Sequence, residues 1–127
     1  MDENTGNIVR GDTSRNLIEV RYRGHVAAAD AKAVSEKVMG LLPQMRQGFT
    51  FLADLSCLDS MDLDCLADIT RVMDACNAAG IGTVVRIVPD PRKDIGFNIL
   101  SIIHYSRGVH VITCQNSAEA ERLIGHG

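Results

Sequence analysis

The chain has no tryptophan, two tyrosines and three phenylalanines, so aromatic residues make up only 4% of its 127 positions. Proteins that track single-stranded nucleic acid stack bases on aromatic side chains within a basic groove. Here 13 basic residues face 16 acidic ones, for a formal net charge of -3, and nucleic acid is not expected as a partner. Long apolar runs are also missing: the candidate span 99–103 is broken by Ser101 and falls far short of the roughly 20 residues a membrane helix needs. No membrane span is expected. Residues 1–16 are polar and lack the apolar core of a signal peptide, which makes a cytoplasmic protein the expectation. Cys57, Cys65, Cys76 and Cys114 form no CxxC pair, and His25, His104, His110 and His126 show no zinc-ligand spacing. The thiols are expected to be reduced. Cys65 and Cys76 share a helical face with Ile69 and Val72 and read as small buried hydrophobes. There is no glycine-rich phosphate fingerprint, and neither a cofactor nor a metal is expected.

What the chain does have is alternation. Its length fits one domain, and 46% hydrophobic residues suffice for one core. Residues 1–15, with Gly6, Gly11 and one apolar pair at Ile8 and Val9, read as a flexible N-terminal arm or a short edge strand, leaving 16–127 as the domain. Ile18, Val20 and Tyr22 alternate with Glu19, Arg21 and Arg23, the period-two signature of a half-buried strand that Gly24 is expected to end. Asp30 is expected to cap a helix bearing Val34, Val38, Leu41 and Leu42, which Pro43 stops.

Residues 49–55 form a nearly continuous apolar run, as in a strand covered on both faces. An acidic turn, 59–64, then leads into a helix predicted over about 62–79, with Leu66, Ile69, Val72, Met73 and Cys76 inward. Thr83 to Val88 is β-branched and strand-like, and Pro89 and Pro91 forbid its continuation. Asp94 opens a predicted third helix burying Ile95, Ile99, Ile102 and Ile103; residues 109–114 make another strand, and Ser117 starts a terminal helix through Ile124. Alternating strands and helices predict an α/β sandwich with about four helices on a mixed, mostly parallel sheet of four to five strands.

The junction at 54–64 draws attention because carboxylates and hydroxyls there meet the unpaired N–H groups and positive end of a helix. Asp54, Asp59, Asp62 and Asp64 read either as a Mg²⁺ set or as cap, solvated turn and dipole-compensating first turn. Arg92 and Lys93 near the third helix could receive an anion, or be solvated cations on a rigid turn. A Cys/His nucleophile pair would need an exposed thiol beside a base, and His104 is equally explained as a helix-end histidine.

In its order of motifs the chain resembles the STAS domain family, which takes its name from sulfate transporters and anti-sigma factor antagonists. The resemblance covers residues 17–124. It is carried by Gly24-His25-Val26 before Asp30, by Asp54-Leu55-Ser56 closing a strand, by the acidic turn before the next helix, by Gly80 and Gly108 before later strands, and by Ser117-Ala118-Glu119-Ala120. It implies a non-enzymatic bacterial signalling module that binds a protein partner such as an anti-sigma factor or a regulatory kinase. In antagonists of this family a serine after an aspartate at the start of the second helix is phosphorylated. Counting from Asp54 that aspartate falls on Asp62, which puts Leu63, without a hydroxyl, at the acceptor position. A shorter register uses Asp59-Ser60 and makes Ser60 the phosphorylation candidate. The expected partner surface is Ser56, Asp59, Ser60, Asp62, Leu63 and Asp64. Two other readings stay open: a small-molecule or lipid-binding module with a cleft beside the third helix, and a Mg²⁺-dependent phospho-acceptor domain using Asp54. A homodimer, through the half-polar first strand or through an apolar surface, is a further expectation.

Overall fold

The structure, a computed structural model, describes residues 7–88 and 109–124. Five strands lie side by side in chain order: β1 (Ile8–Asp12), β2 (Leu17–Val26), β3 (Thr50–Met61), β4 (Thr83–Ile87) and β5 (His110–Cys114). β1 runs antiparallel to β2, and every later pair is parallel. Of the two readings of residues 1–15, the structure shows the short edge strand over Ile8–Asp12. Helices α1 (Ala28–Leu41) and α2 (Cys65–Ala79) connect β2 to β3 and β3 to β4, and α3 (Ser117–Ile124) follows β5. Right-handed crossovers that advance one way across a sheet place their helices on the same face. Accordingly α1 and α2 pack together over a core of Ile18, Val20, Phe49, Phe51, Ile69 and Val84, while α3 lays Ala120 and Ile124 with Leu17, Leu52, Val85 and Ile87 in a second cluster. The helix predicted from Asp94, the cleft beside it, and Arg92, Lys93 and His104 lie outside the described residues.

Three expected boundaries shift. Asp30 is not the cap of α1 but its third residue: its carboxylate accepts the Ala27 N–H (3.0 Å) from inside the first turn, and Ala27 takes the cap position. Gly24, at φ +64°, does not end β2; it lets the strand bend and continue to Val26. β3 runs six residues past Leu55, so Asp59 and Ser60 lie in a strand and not in a turn.

Asn16 sets the register of the central strands. Its side chain donates to the Arg46 carbonyl (3.1 Å) and accepts the Arg46 N–H (2.8 Å), and its own carbonyl accepts Thr50 N–H (3.0 Å). At the same end the backbone passes very close to itself: a Cβ on Gly82 would stand 2.8 Å from the Gly48 carbonyl oxygen and 3.0 Å from its Cα. Gly82→Ala should therefore cost about 1–3 kcal/mol through forced displacement of the chain, read as a lower urea midpoint with an unchanged m-value.

The β1–β2 turn is fastened electrostatically. Asp12 accepts from the Ser14 hydroxyl (2.7 Å) and from Arg15 Nε (3.0 Å), and Arg15 reaches on to Glu121 of α3 (3.3 Å). These donors, Ser14 first and Arg15 next, hold the Asp12 carboxyl down at about 2 against an ordinary 3.8. A carboxyl lowered by folding contributes stability above its unfolded value and loses it as pH falls through the folded one. NMR titration should place the Asp12 midpoint near 2. Acid loosening of the hairpin should develop between pH 3.8 and about 2, and Asp12→Asn should remove that pH dependence.

Candidate functional site

The expected buried carboxylate is present, and its role is architectural. Asp54 is 2% exposed, and both its oxygens are engaged: Oδ2 accepts from Arg21 Nε (3.0 Å), and Oδ1 from the Ser56 N–H (2.9 Å) and hydroxyl (2.6 Å). A buried carboxylate with its lone pairs taken up locally is a structural tie, and it presents no oxygen to a phosphoryl donor. The local turn it holds displaces the strand: β2 and β3 pair as Arg21↔Asp54 but as Arg23↔Cys57, so β3 carries an extra residue opposite Tyr22. A second shift follows, from Gly24↔Leu58 to His25↔Ser60, which leaves Asp59 as the extra residue. Directly opposed residues of paired strands present their side chains together. The two bulges together displace the partner by two positions and so bring Ser60, in place of Leu58, beside His25.

The geometry follows through. His25 Nδ1 lies 2.7 Å from Ser60 Oγ, and its Nε2 lies 3.0 Å from an Asp62 oxygen, the His25 and Asp62 side chains being 55% and 49% exposed. Asp62 is itself anchored by its N–H to the Val26 carbonyl (3.0 Å), the last residue of β2. The Cys65 and Leu66 N–H groups donate to the Asp62 and Leu63 carbonyls (both 3.0 Å), so the chain turns tightly and α2 begins at Cys65, three residues later than expected. Asp64 is the N-cap residue, with its carboxylate bonded to no helix N–H. From Cys65 the buried stripe runs through Ile69, Val72, Met73 and Cys76, which leaves Leu66 on the outside at 38% exposure, contrary to its expected inward position. Leu63 stands 81% exposed.

The six expected surface residues thus divide. Ser60, Asp62 and Leu63 gather at the start of α2, and Asp59 and Asp64 flank them in solvent. Ser56 is exposed, but its hydroxyl is turned back onto Asp54. The acidic cluster does not converge: among the described residues no three metal-ligating side chains come together, and Asp62 is committed to His25. His25 is the residue that sequence reasoning passed over. Its signal was Gly24, which can carry the strand past a bend and so bring the next side chain to the end of the neighbouring strand. Of the cysteines only Cys57 is exposed, and no disulfide is formed. Burial first, and then the charge of Asp62, raise the Cys65 thiol above its ordinary value, so it stays protonated as it donates to the Val26 carbonyl (3.4 Å). Two depressions lie away from this junction: one of about 380 Å³ beside Arg10 and Glu19 at the hairpin, and one of about 520 Å³ between Met39 and Arg71 on α1 and α2. Among the described residues no helix is long and apolar enough to cross a membrane.

No protein-family model matches the chain, and no curated protein is similar to it in sequence. Solved structures do share its architecture. The anti-sigma factor antagonist SpoIIAA in its unphosphorylated form superposes with a TM-score of 0.66 at 14% identity, over 95% of this chain and 98% of that one. The phosphorylated form of SpoIIAA, a Bacillus cell fate determinant, gives 0.60 at 17% identity over 92% and 98%. An anti-sigma factor antagonist from Mycobacterium paratuberculosis gives 0.58 at 14% identity over 94% and 92%. At these identities the likeness is one of fold: the chain is a STAS-like, SpoIIAA-like α/β domain.

If Asp54 is a structural tie, removing it costs stability. Asp54→Ala should destabilise by about 1–3 kcal/mol, mostly through the orphaned Ser56 N–H, because Arg21 can turn to water. Thermal melting checks the loss, and a melting point equal to that of the unaltered chain would show that Asp54 does not hold the strand.

Proposed function

We propose that the chain is a non-enzymatic bacterial regulatory module, cytoplasmic and of the anti-sigma factor antagonist kind, that binds a protein partner through the front of α2. The observation that carries this is Leu63. A leucine 81% exposed at a helix start, beside exposed Leu66 and flanked by Asp59, Asp62 and Asp64, gains nothing for the isolated fold. Exposed apolar groups rimmed by charge fit the core-and-rim pattern of protein interfaces. The acidic rim favours a partner with a basic margin around an apolar pocket, as an anti-sigma factor or regulatory kinase could supply. The shared fold with anti-sigma factor antagonists supports the same reading.

Control would lie at Ser60. SpoIIAA is known in phosphorylated and unphosphorylated forms. In this chain Leu63 offers no acceptor, whereas Ser60 is an exposed hydroxyl at the same junction. Phosphate there adds roughly -1.5 to -2 charge among three carboxylates and competes with Asp62 for His25, enough to repel a surface recruited by Leu63.

Leu63→Asp and Asp62→Lys test the surface. Each should weaken binding to the cognate anti-sigma factor or kinase about tenfold or more, the loss expected for a central contact, with circular dichroism unchanged. Isothermal titration gives the affinities, and equal affinity for both variants and the unaltered chain would remove this surface from consideration.

A further inference from the structure

Ser60, His25 and Asp62 form one hydrogen-bonded line, Oγ to Nδ1 at 2.7 Å and Nε2 to carboxylate at 3.0 Å. A carboxylate only accepts, so the neutral ring carries its proton on Nε2 and turns the bare Nδ1 towards the serine hydroxyl. A nucleophile bonded to a base that a third group orients is the arrangement that activates hydroxyls. Compared with serine hydrolases the ring is used in the opposite sense, since there Nε2 meets the serine and Nδ1 the aspartate. The chemistry is unaffected, because either imidazole nitrogen can take the proton while the other is held.

Fold stability does not explain the arrangement. Exposed ion pairs are worth about 0–1 kcal/mol, and both side chains are about half exposed. Ser56 supplies the contrast: it is exposed on the same strand, but its hydroxyl donates to a buried carboxylate already neutralised by Arg21. Only at Ser60 does an accessible hydroxyl meet an oriented imidazole among the described residues.

We infer that Ser60 is a nucleophilic acceptor towards electrophilic phosphorus, with His25 as its base and Asp62 as the residue positioning that base. In the step, the Ser60 hydroxyl proton passes to His25 Nδ1, a bond forms between Oγ and phosphorus, and the phosphorus–leaving-group bond breaks with the electron pair departing on the leaving group. His25 then returns its proton to solvent or to the leaving group. The chain takes up one group and is not turned over, in keeping with a regulatory module. The inference concerns the reactivity of the hydroxyl, and it holds or fails independently of partner binding.

A neutral fluorophosphonate is the suitable probe, since the carboxylates around the site do not repel it and fluoride leaves without assistance. The full chain should gain one adduct, mapped by mass spectrometry to Ser60 and absent from Ser60→Ala. His25→Ala should slow labelling about 100-fold or more, the usual range for a lost base, and added imidazole should restore part of the rate. His25→Gln keeps a side-chain hydrogen bond without a base, so it should react as slowly as His25→Ala while melting like the unaltered chain. Asp62→Asn should also slow the reaction and Asp62→Glu recover it. Labelling of Ser56 at the rate of Ser60, or of His25→Gln at the rate of the unaltered chain, overturns the inference. An inert Ser60 in a chain whose partner affinity still depends on Leu63 discards the inference and leaves the binding surface standing. Reactive Ser60 without such binding does the reverse.

Discussion

Everything at the functional end of this molecule depends on the parallel pairing of β2 with β3 being carried well past the point where the apolar pattern stops. The pairing is pinned at its start by Asn16, whose side chain and carbonyl bind the backbone leading into β3. It is interrupted in the middle by the Asp54 to Ser56 turn, which inserts one residue into β3. It then resumes to Val26 and Met61, after a second insertion at Asp59. Side chains in a strand alternate, so each inserted residue moves every later one to the opposite face. Two insertions restore the original alternation but displace the partner by two positions, and that displacement pairs His25 with Ser60. Asp54 fixes the first insertion by accepting from Ser56 on one oxygen and from the half-buried Arg21 on the other, because an uncompensated carboxylate at that depth would be costly.

The same pairing explains where the site is not. With strands in sequence order and crossovers all advancing one way, the described sheet has no reversal of strand order, and hence none of the crevices in which doubly wound folds seat nucleotides. What the sheet offers instead is a rim. The ends of β2 and β3 rise to the start of α2, with Asp62 bonded to Val26 across the gap. Small insertions there place three polar side chains in line and leave two leucines facing solvent.

Much of the scaffold was legible from spacing alone. The period-two run around Val20, the apolar run from Phe49 and the helical stripe through Ile69, Val72 and Cys76 reflect burial, and burial is what patterns record. The site was less legible for the same reason. Cys57, Asp59 and Ser60 sit at the wet end of a strand, where both composition and polarity look like a turn. Nothing in a hydrophobic pattern reports that Ser56 will fold its N–H onto Asp54, although the Asp-Leu-Ser run contains the residues that do so. Leu66 was misplaced because the helix begins at Cys65: its buried stripe starts there, and Leu66 lies one residue round. His25 went unassigned because its partners lie 35 and 37 positions away on another strand and its turn, and only the register unites them.

Exposure then decides what the His25–Asp62 pair is worth at each stage. In water it contributes little, since solvent screens the pair and competes for both members. A partner seated on Leu63 would remove that water. In such a less polar surrounding the hydrogen bond from the neutral ring's Nε2–H to the Asp62 carboxylate is stronger than in water. The hydroxyl of Ser60 would be held harder and the carboxylate would keep the ring aligned more firmly while the partner is docked, so recognition through the leucines and reaction at the serine would draw on one act of desolvation. A negative group placed on Ser60 has the opposite consequence. It competes with Asp62 for the imidazole and sets like charge against Asp59, Asp62 and Asp64 at the moment when water would have to leave. Burying such a cluster costs more than two leucines return, since each fully buried leucine is worth only about 1.5–3 kcal/mol whereas an unpaired buried charge costs several. On the proposed reading the physical logic would be asymmetric: a partner's approach would strengthen the line that prepares Ser60, and a modified serine would remove the partner.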